Sequence, residues 1–559
     1  MANQRISVLD PVSALADADE LAVVQSGVTK KVTATILKLF ARTYPRTPIE
    51  IAQGAFPTDY TYRPGNVLRF GADPTGVLDS TAAFNLATRS DYQSTGNGDL
   101  NFEKEVVAPA GAYKVSSSIY IHKGQHFKGA GEGATRILAT NSYNSGDHLF
   151  KLGAYDGGFD LGGLPPEISA MWIEGGPLGF GAIRCGSAGA TIHDLFITFA
   201  DVAMVIDGSD IRISNIQLDE GGTGIKIGGR NNILSNMLIY RLAIAIQSTT
   251  NCYDLTFSDV HCYFNTLNSV MLTAGITHRN MNFNSCTFSL DDQYVGFTGY
   301  VRILCSDAST LIFSNCIFSN MNGGAVVSSS SSFNNEVIFN DCLFDGAVSK
   351  SGYILSTTAY VAFCANSEFQ FNNCSYKNLT ARPFWVNGGV AATRLLVRNG
   401  TISNCATGVV VDVAATAPAL GSEIIVQGLW NQDQQTKQPV TAVAGGWHIG
   451  GDGFQVLTGI GAFTVDQYPS GRDSKYFVDT STSAAQIKLP RSDDDARVEP
   501  KHGDQLTFVD YNQDWGTNNV TFLRGDNTIN NAAVDYVAST AGGRATFTFN
   551  SVTLDWNVS

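Results

Sequence analysis

The sequence predicts an all-β protein: a right-handed parallel β-helix (a solenoid), with a small N-terminal region and a C-terminal β-sandwich. Three observations lead there. A hexapeptide of the form Phe-polar-polar-Cys-any-aromatic recurs at 283–288, 313–318, 339–344 and 371–376. The composition is 44% hydrophobic but only 15% charged, with 56 Gly in 559 residues, which suits short strands and turns and disfavours a helical bundle. The last part of the chain alternates short apolar runs with turn residues.

Relaxing Cys to any small or apolar residue extends the repeat to ten copies, keyed at 171, 195, 216, 237, 260, 286, 316, 342, 374 and 400. The spacings, 24, 21, 21, 23, 26, 30, 26, 32 and 26 residues, have the length of solenoid repeats but vary too much for a leucine-rich or propeller array. Each copy reads as two short strands meeting at a polar residue, mostly Asn or Asp, which tolerates the left-handed backbone of a sharp corner. Strand alternation then points the key, the residue three before it and the residue two after it inward. The residues one and three after the key point out, on one face.

The elements follow in order. Residues 1–60 form a separate N-terminal region. In it, Leu21–Val24 and Val28–Thr33 flank Ser26-Gly27 as a hairpin, Thr35–Arg42 reads as a short helix, and Pro45, Pro48, Pro57 and Pro64 mark a linker. Residues 61–430 form the β-helix. It opens on a strand at Val67–Phe70, a glycine turn through Gly71 and Gly76, and a helix capped by Asp79 or Ser80. A polar linker spans 431–470. Residues 471–559 read as an antiparallel β-sandwich with strands near 477–479, 487–489, 505–510, 520–523, 545–549 and 553–558.

Charge and cysteine usage exclude several classes of partner. A net charge of −14 without a Lys/Arg stripe disfavours nucleic acid and anionic membranes. No apolar run approaches a membrane span, and the first residues lack the basic and apolar blocks of an export signal. The ten cysteines show no CxxC pair and no zinc spacing, so reduced, buried thiols are expected, consistent with cytosolic synthesis. No cofactor or metal is expected.

The segment Val67-Leu68-Arg69-Phe70-Gly71-Ala72-Asp73-Pro74-Thr75-Gly76 through Phe84, followed by Gly129-Ala130-Gly131-Glu132-Gly133, resembles the opening turns of pectate-lyase-like β-helix proteins. With the N-terminal hairpin and the terminal sandwich, the order of parts resembles bacteriophage tailspike depolymerases over nearly the whole chain. That resemblance implies a homotrimer held by its C-terminal domain, an N-terminal region bound to a phage tail or baseplate protein, and a solenoid that binds and cuts a bacterial capsular or O-antigen polysaccharide. It also implies residence in the virion and action at the bacterial surface.

Glycoside hydrolysis needs one carboxyl to protonate the leaving oxygen and a second as base or nucleophile. On the outward face these are Glu174, Asp219 and, beside it, Glu220. Rungs lie about 4.8 Å apart, so Glu174 and Asp219, two rungs distant, stand roughly 10 Å apart at the backbone, near the separation of inverting enzymes. Trp172, Tyr240, Arg241, His261 and Tyr263 occupy the same face or its edge and are the expected substrate-binding residues, offering aromatic faces for sugar rings and one cation. Two other readings share this face: β-elimination of a uronate polymer, with His261 as base and Tyr240 or Arg241 assisting, and a receptor-binding adhesin that does not cut. The three aligned Asp residues of calcium-dependent pectate lyases are not found.

Overall fold

A computed structural model describes residues 20–25, 28–33, 43–89, 104–140, 147–155, 158–159, 164–175, 180–265, 268–273, 276–289, 303–305, 309–321, 324–329, 335–346, 359–364, 367–379, 384–386, 394–404, 411–413, 423–431, 436–437, 441–444, 448–450, 455–460, 462–465, 474–481, 483–490, 500 and 502–559. The expected helix at Thr35–Arg42 lies outside these residues.

The chain winds into a parallel β-helix whose register is that of the sequence repeat. Met171 pairs with Leu195, Leu195 with Ile216 and Ile216 with Met237. Along the next column, Trp172, Phe196, Gln217, Leu238, His261, Thr287 and Ile317 stand in succession. The residue before each of the ten keys takes a left-handed backbone, from Ala170 (φ 60°) through Asn236 (48°) to Asn399 (58°). A second left-handed corner follows the key by four, at Phe199, Glu220, Arg241, Phe264, Asn378 and Asn404.

Inside, identical side chains stack because identical positions repeat. Phe257, Phe283, Phe313, Phe339 and Phe371 form one column, with neighbouring ring centroids 4.5 to 4.9 Å apart and planes within 13°. Phe288, Phe318, Phe344 and Tyr376 form a second, at 5.2, 4.9 and 5.5 Å. The key thiols lie between them: Cys286, Cys316, Cys342 and Cys374 are buried and free, and each donates to the carbonyl of a Phe on the preceding rung. Burial pushes the thiols of Cys185 and Cys252 up to about 12, so they remain protonated.

Three expectations are corrected. Val67–Phe70 is a 3-10 helix, because the Asn66 side chain caps Leu68 and Gly71 closes the turn at φ 85°. The first strand is Thr75–Asp79, and the helix is Thr81–Arg89. The proline-marked stretch is no loose linker: Thr47 and Glu50 form a capping box on helix Pro48–Ala52, and Glu50 grips Arg69 through two bonds of 2.7 and 3.0 Å, both side chains fully buried. Arg69 also donates to the carbonyls of Tyr44, Pro45 and Tyr62, which satisfies its whole fork.

The third correction concerns the C-terminal part. Parallel stacking does not stop at 430: Glu423–Gln427, His448–Gly450, Ala462–Val465, Ala485–Lys488 and Val520–Leu523 pair in series, so 431–470 carries rungs. Ser474–Asp479 likewise pairs parallel with Gln505–Asp510. Apart from a short antiparallel pair of Trp430–Asn431 with Thr436–Lys437, antiparallel pairing in this part comes where Arg544–Asn550 returns along Gln505–Asp510 and Asp555–Val558 along Arg544–Asn550, with Tyr536–Ala538 closing on Val520–Leu523. The two sheets share one core, in which Phe508 contacts Phe522 at 4.7 Å and Phe522 contacts Phe547 at 4.6 Å. The N-terminal hairpin forms as expected, Gln25 opposite Val28.

Candidate functional site

Two outward columns define the candidate face. One runs Arg136, Trp172, Phe196, Gln217, Leu238, His261, Thr287; the other runs Leu138, Glu174, Thr198, Asp219, Tyr240, Tyr263, Ser289. Alternation along each strand puts both columns outside the barrel, and parallel register lines them up. The corner beyond them carries Phe199, Glu220, Arg241 and Phe264.

Asp219, Glu220, Tyr240 and Arg241 come together. The Arg241 guanidinium donates Nε to Asp219 Oδ1 at 2.7 Å and a terminal nitrogen to Oδ2, a two-pronged grip, while its other terminal nitrogen lies 2.7 Å from Glu220 Oε1. Asp219 is only 7% exposed although its column faces outward, because the longer neighbours close over it. Arg241 also lies over the Tyr240 ring, 5.0 Å from its centroid, and the Tyr240 hydroxyl accepts from Gln217 at 2.7 Å. Burial, with the nearby Asp219 carboxylate, raises the Tyr240 phenol above its ordinary value. Chiefly through Asp219, the Arg241 guanidinium is driven further above its already high value.

Glu220 differs from the sequence expectation in one respect. It stands at the corner, φ 50°, and reaches the cluster only through Arg241. Gly221, next to it, fixes this turn: a Cβ there would lie 2.1 Å from the Ala200 carbonyl oxygen of the preceding rung.

Glu174 belongs to a second cluster. Its carboxylate pairs with Arg136, and Arg136 covers the Trp172 ring at 4.3 Å. Trp172 stacks on Phe196 with centroids 5.2 Å apart and donates its indole N–H to Thr198 at 2.9 Å. Thr198 stands between Glu174 and Asp219 in the column, and no hydrogen bond among the described residues joins the two acids. On the far side of Tyr240, His261 and Tyr263 lie parallel, 6.0 Å apart and within 5°. The His261 Nδ1 is buried and has no hydrogen-bond partner among the described residues.

The eight residues named from sequence thus all lie on or beside one face, in two clusters and a stacked pair. Arg136, Phe196, Thr198 and Gln217 also contribute, and the sequence reading did not single them out. Gln217 sits in the outward register, but an amide carries no chemical signature of its own. Arg136 follows Thr135, a polar residue in a key position, so the register counted from Met171 stops one rung short of it.

Among the described residues no three His, Cys, Asp or Glu side chains are grouped to hold a metal, and no helix is long and apolar enough to cross a membrane.

The profile of a family described as rhamnogalacturonase A/epimerase, pectate lyase-like, matches residues 65–171. No curated protein matches the chain. Among solved structures, the N-terminal fragment of bacteriophage Phi29 gene product 12 is similar over 76% of this chain and 85% of its own, at 14% identity and TM-score 0.48. A mutant tailspike protein of E. coli bacteriophage HK620, in complex with pentasaccharide, is similar over 91% and 84%, at 12% identity and TM-score 0.42. The catalytic unit of a GH87 alpha-1,3-glucanase from Streptomyces thermodiastaticus is similar over 68% and 64%, at 14% identity and TM-score 0.43.

Proposed function

We propose that this chain is a bacteriophage tailspike that binds a bacterial capsular or O-antigen polysaccharide along the Trp172–Ser289 face and cuts it by hydrolysis. The observation that carries this reading is the half-buried aromatic face centred on Asp219, an acid that Arg241 holds in a fixed orientation from the neighbouring corner. The pectate-lyase-like profile at residues 65–171 supports the same class of substrate.

Trp172, Tyr240, His261 and Tyr263 offer flat apolar surface to sugar rings, and Gln217 and Thr198 offer polar contacts between them. Two acids must act across the scissile bond. Asp219, with Glu220 on the same guanidinium, supplies one side; Glu174, two rungs toward the N-terminus, supplies the other. About 10 Å between their rungs leaves space for sugar and water, the arrangement of an inverting reaction. Arg241 and Arg136 are positioning residues: each fixes a carboxylate before substrate arrives, so no reorganisation is needed in the transition state.

Substitution tests this directly. Asp219→Ala, Glu220→Gln and Glu174→Gln are expected to cut the release of reducing ends by about 10²- to 10⁴-fold for an essential acid, with the thermal midpoint retained. Undiminished activity in all three variants rejects the site.

A second reading has one observation in its favour: the unpartnered Nδ1 of His261. In β-elimination His261 would take the C5 proton of a uronate, and products would absorb in the ultraviolet as unsaturated uronates. A third, a non-cutting adhesin, requires polymer length to stay unchanged after long incubation. The N-terminal hairpin as the joint to the phage tail, and the homotrimer, belong to the same proposal; removal of residues 1–42, which keeps the Tyr44, Pro45 and Glu50 partners of Arg69, should abolish incorporation into virions while leaving polysaccharide cleavage intact.

A further inference from the structure

On that proposed reading, we infer that the groove takes a neutral glycan, one whose repeat carries no uronate, sialate or phosphate. The inference comes from how the charges of the face are used. Over the rungs from Arg136 to Ser289, the cations among the described residues of the two columns and their corner are Arg136 and Arg241. Both are spent. Arg136 pairs with Glu174 and its face is laid on Trp172, while Arg241 grips Asp219 with two nitrogens and Glu220 with the third. Each guanidinium is therefore already engaged by a carboxylate of the same face.

An anionic sugar entering here would need a guanidinium to leave its carboxylate. The cost is high at Asp219, which is 7% exposed and would be left as a largely buried, unpaired charge. The next cation in the column, Lys114, lies on the rung before Leu138, beyond the aromatic surface of Trp172 and Phe196. What the face does present is aromatic surface, a side-chain amide and hydroxyls, which suit uncharged rings and their hydroxyl groups.

The test begins from a bacterium whose lawn the purified full chain clears. Its surface polysaccharide is purified, analysed for uronate, sialate and phosphate, and digested at 20 and 500 mM NaCl. A repeat free of those groups, with cleavage changing less than about twofold across this range, is the expected result, since screening acts only on charge–charge attraction. A uronate-, sialate- or phosphate-bearing repeat, cut by the wild type but not by Trp172→Ala, with a rate that falls steeply with salt, overturns the neutral class and leaves the depolymerase standing. If no lawn is cleared and no polymer shortened, the depolymerase reading itself falls. Glu220→Gln supplies an independent arm. With one anion removed from Arg241, this variant should bind polygalacturonate at 20 mM NaCl at least tenfold more tightly than the wild type does. Tight, salt-sensitive binding of polygalacturonate by the wild-type groove, lost in Trp172→Ala, contradicts the inference.

Discussion

At the scale of single residues, the arginines decide what the acids can do. Arg241→Met removes the partner of a carboxylate that is 8% exposed in its side chain, while the guanidinium itself is 36% exposed. The expected loss is about 1–3 kcal/mol in urea unfolding, below the full cost of breaking a wholly buried pair because one partner meets water. Arg241→Lys should recover part of the stability but little activity, since an ammonium cannot hold both oxygens of Asp219 and reach Glu220. Arg69 is the contrasting case. Its pair with Glu50 is fully buried and every N–H is used, so Arg69→Met should cost about 3–5 kcal/mol, read as a lowered thermal midpoint with the groove intact.

At the scale of elements, the corners form directed ladders. Asn236 donates to Asn215 and Asn215 to Asp194; Asn231 donates to Asp210, Asn280 to Asp254, Asn373 to Asp341, and Asn404 through Asn378 to Asp345. Each of these ladders ends, toward the N-terminus, on an Asp. A carboxylate has no donor, so it fixes the orientation of every amide stacked after it.

The Asp194 ladder continues into His193, whose ring nitrogens meet Asp194 at 2.7 Å and Glu167 at 3.1 Å. Burial alone would lower the pKa of His193, but the two carboxylates outweigh it and raise it. The hydrogen bond from Asn215, followed by the pairing with His193, holds Asp194 below its ordinary value. The histidine term is therefore fully present below pH about 6.5 and is lost as pH rises through the raised value. The Asp194 term is present above its unfolded value and lost as pH falls through the lowered one. Stability of the wild type relative to His193→Gln should accordingly be larger at pH 5.5 than at pH 9, measured by urea unfolding at both. An equal difference at both pH values would remove His193 from this account. Within the solenoid, Phe313→Ala interrupts a column stacked at 4.7 and 4.9 Å on its two sides and should cost about 3–5 kcal/mol.

At the scale of the whole molecule, the solenoid presents long flanks, and large apolar side chains stand exposed along the chain, among them Phe56, Val77, Leu78, Phe199 and Trp430. Sedimentation of the full chain is expected to give three chain masses, in line with the proposed homotrimer; a monomer at micromolar concentration would count against it.

The sequence by itself determined the repeat, its key positions, the inward Phe and Cys columns and the outward face, because a parallel β-helix maps a period in sequence directly onto a column in space. It could not give the sense of the last strands, since short alternating runs look the same whether they pair parallel or antiparallel, and Gln505–Asp510 does both, parallel with Ser474–Asp479 and antiparallel with Arg544–Asn550. Nor could it give the charge partners. Asp219 and Arg241 are 22 positions apart and Glu174 and Arg136 are 38, and only the stacking of rungs brings each pair into contact. The list of acids was legible; their pairing with two arginines was decided by the tertiary structure.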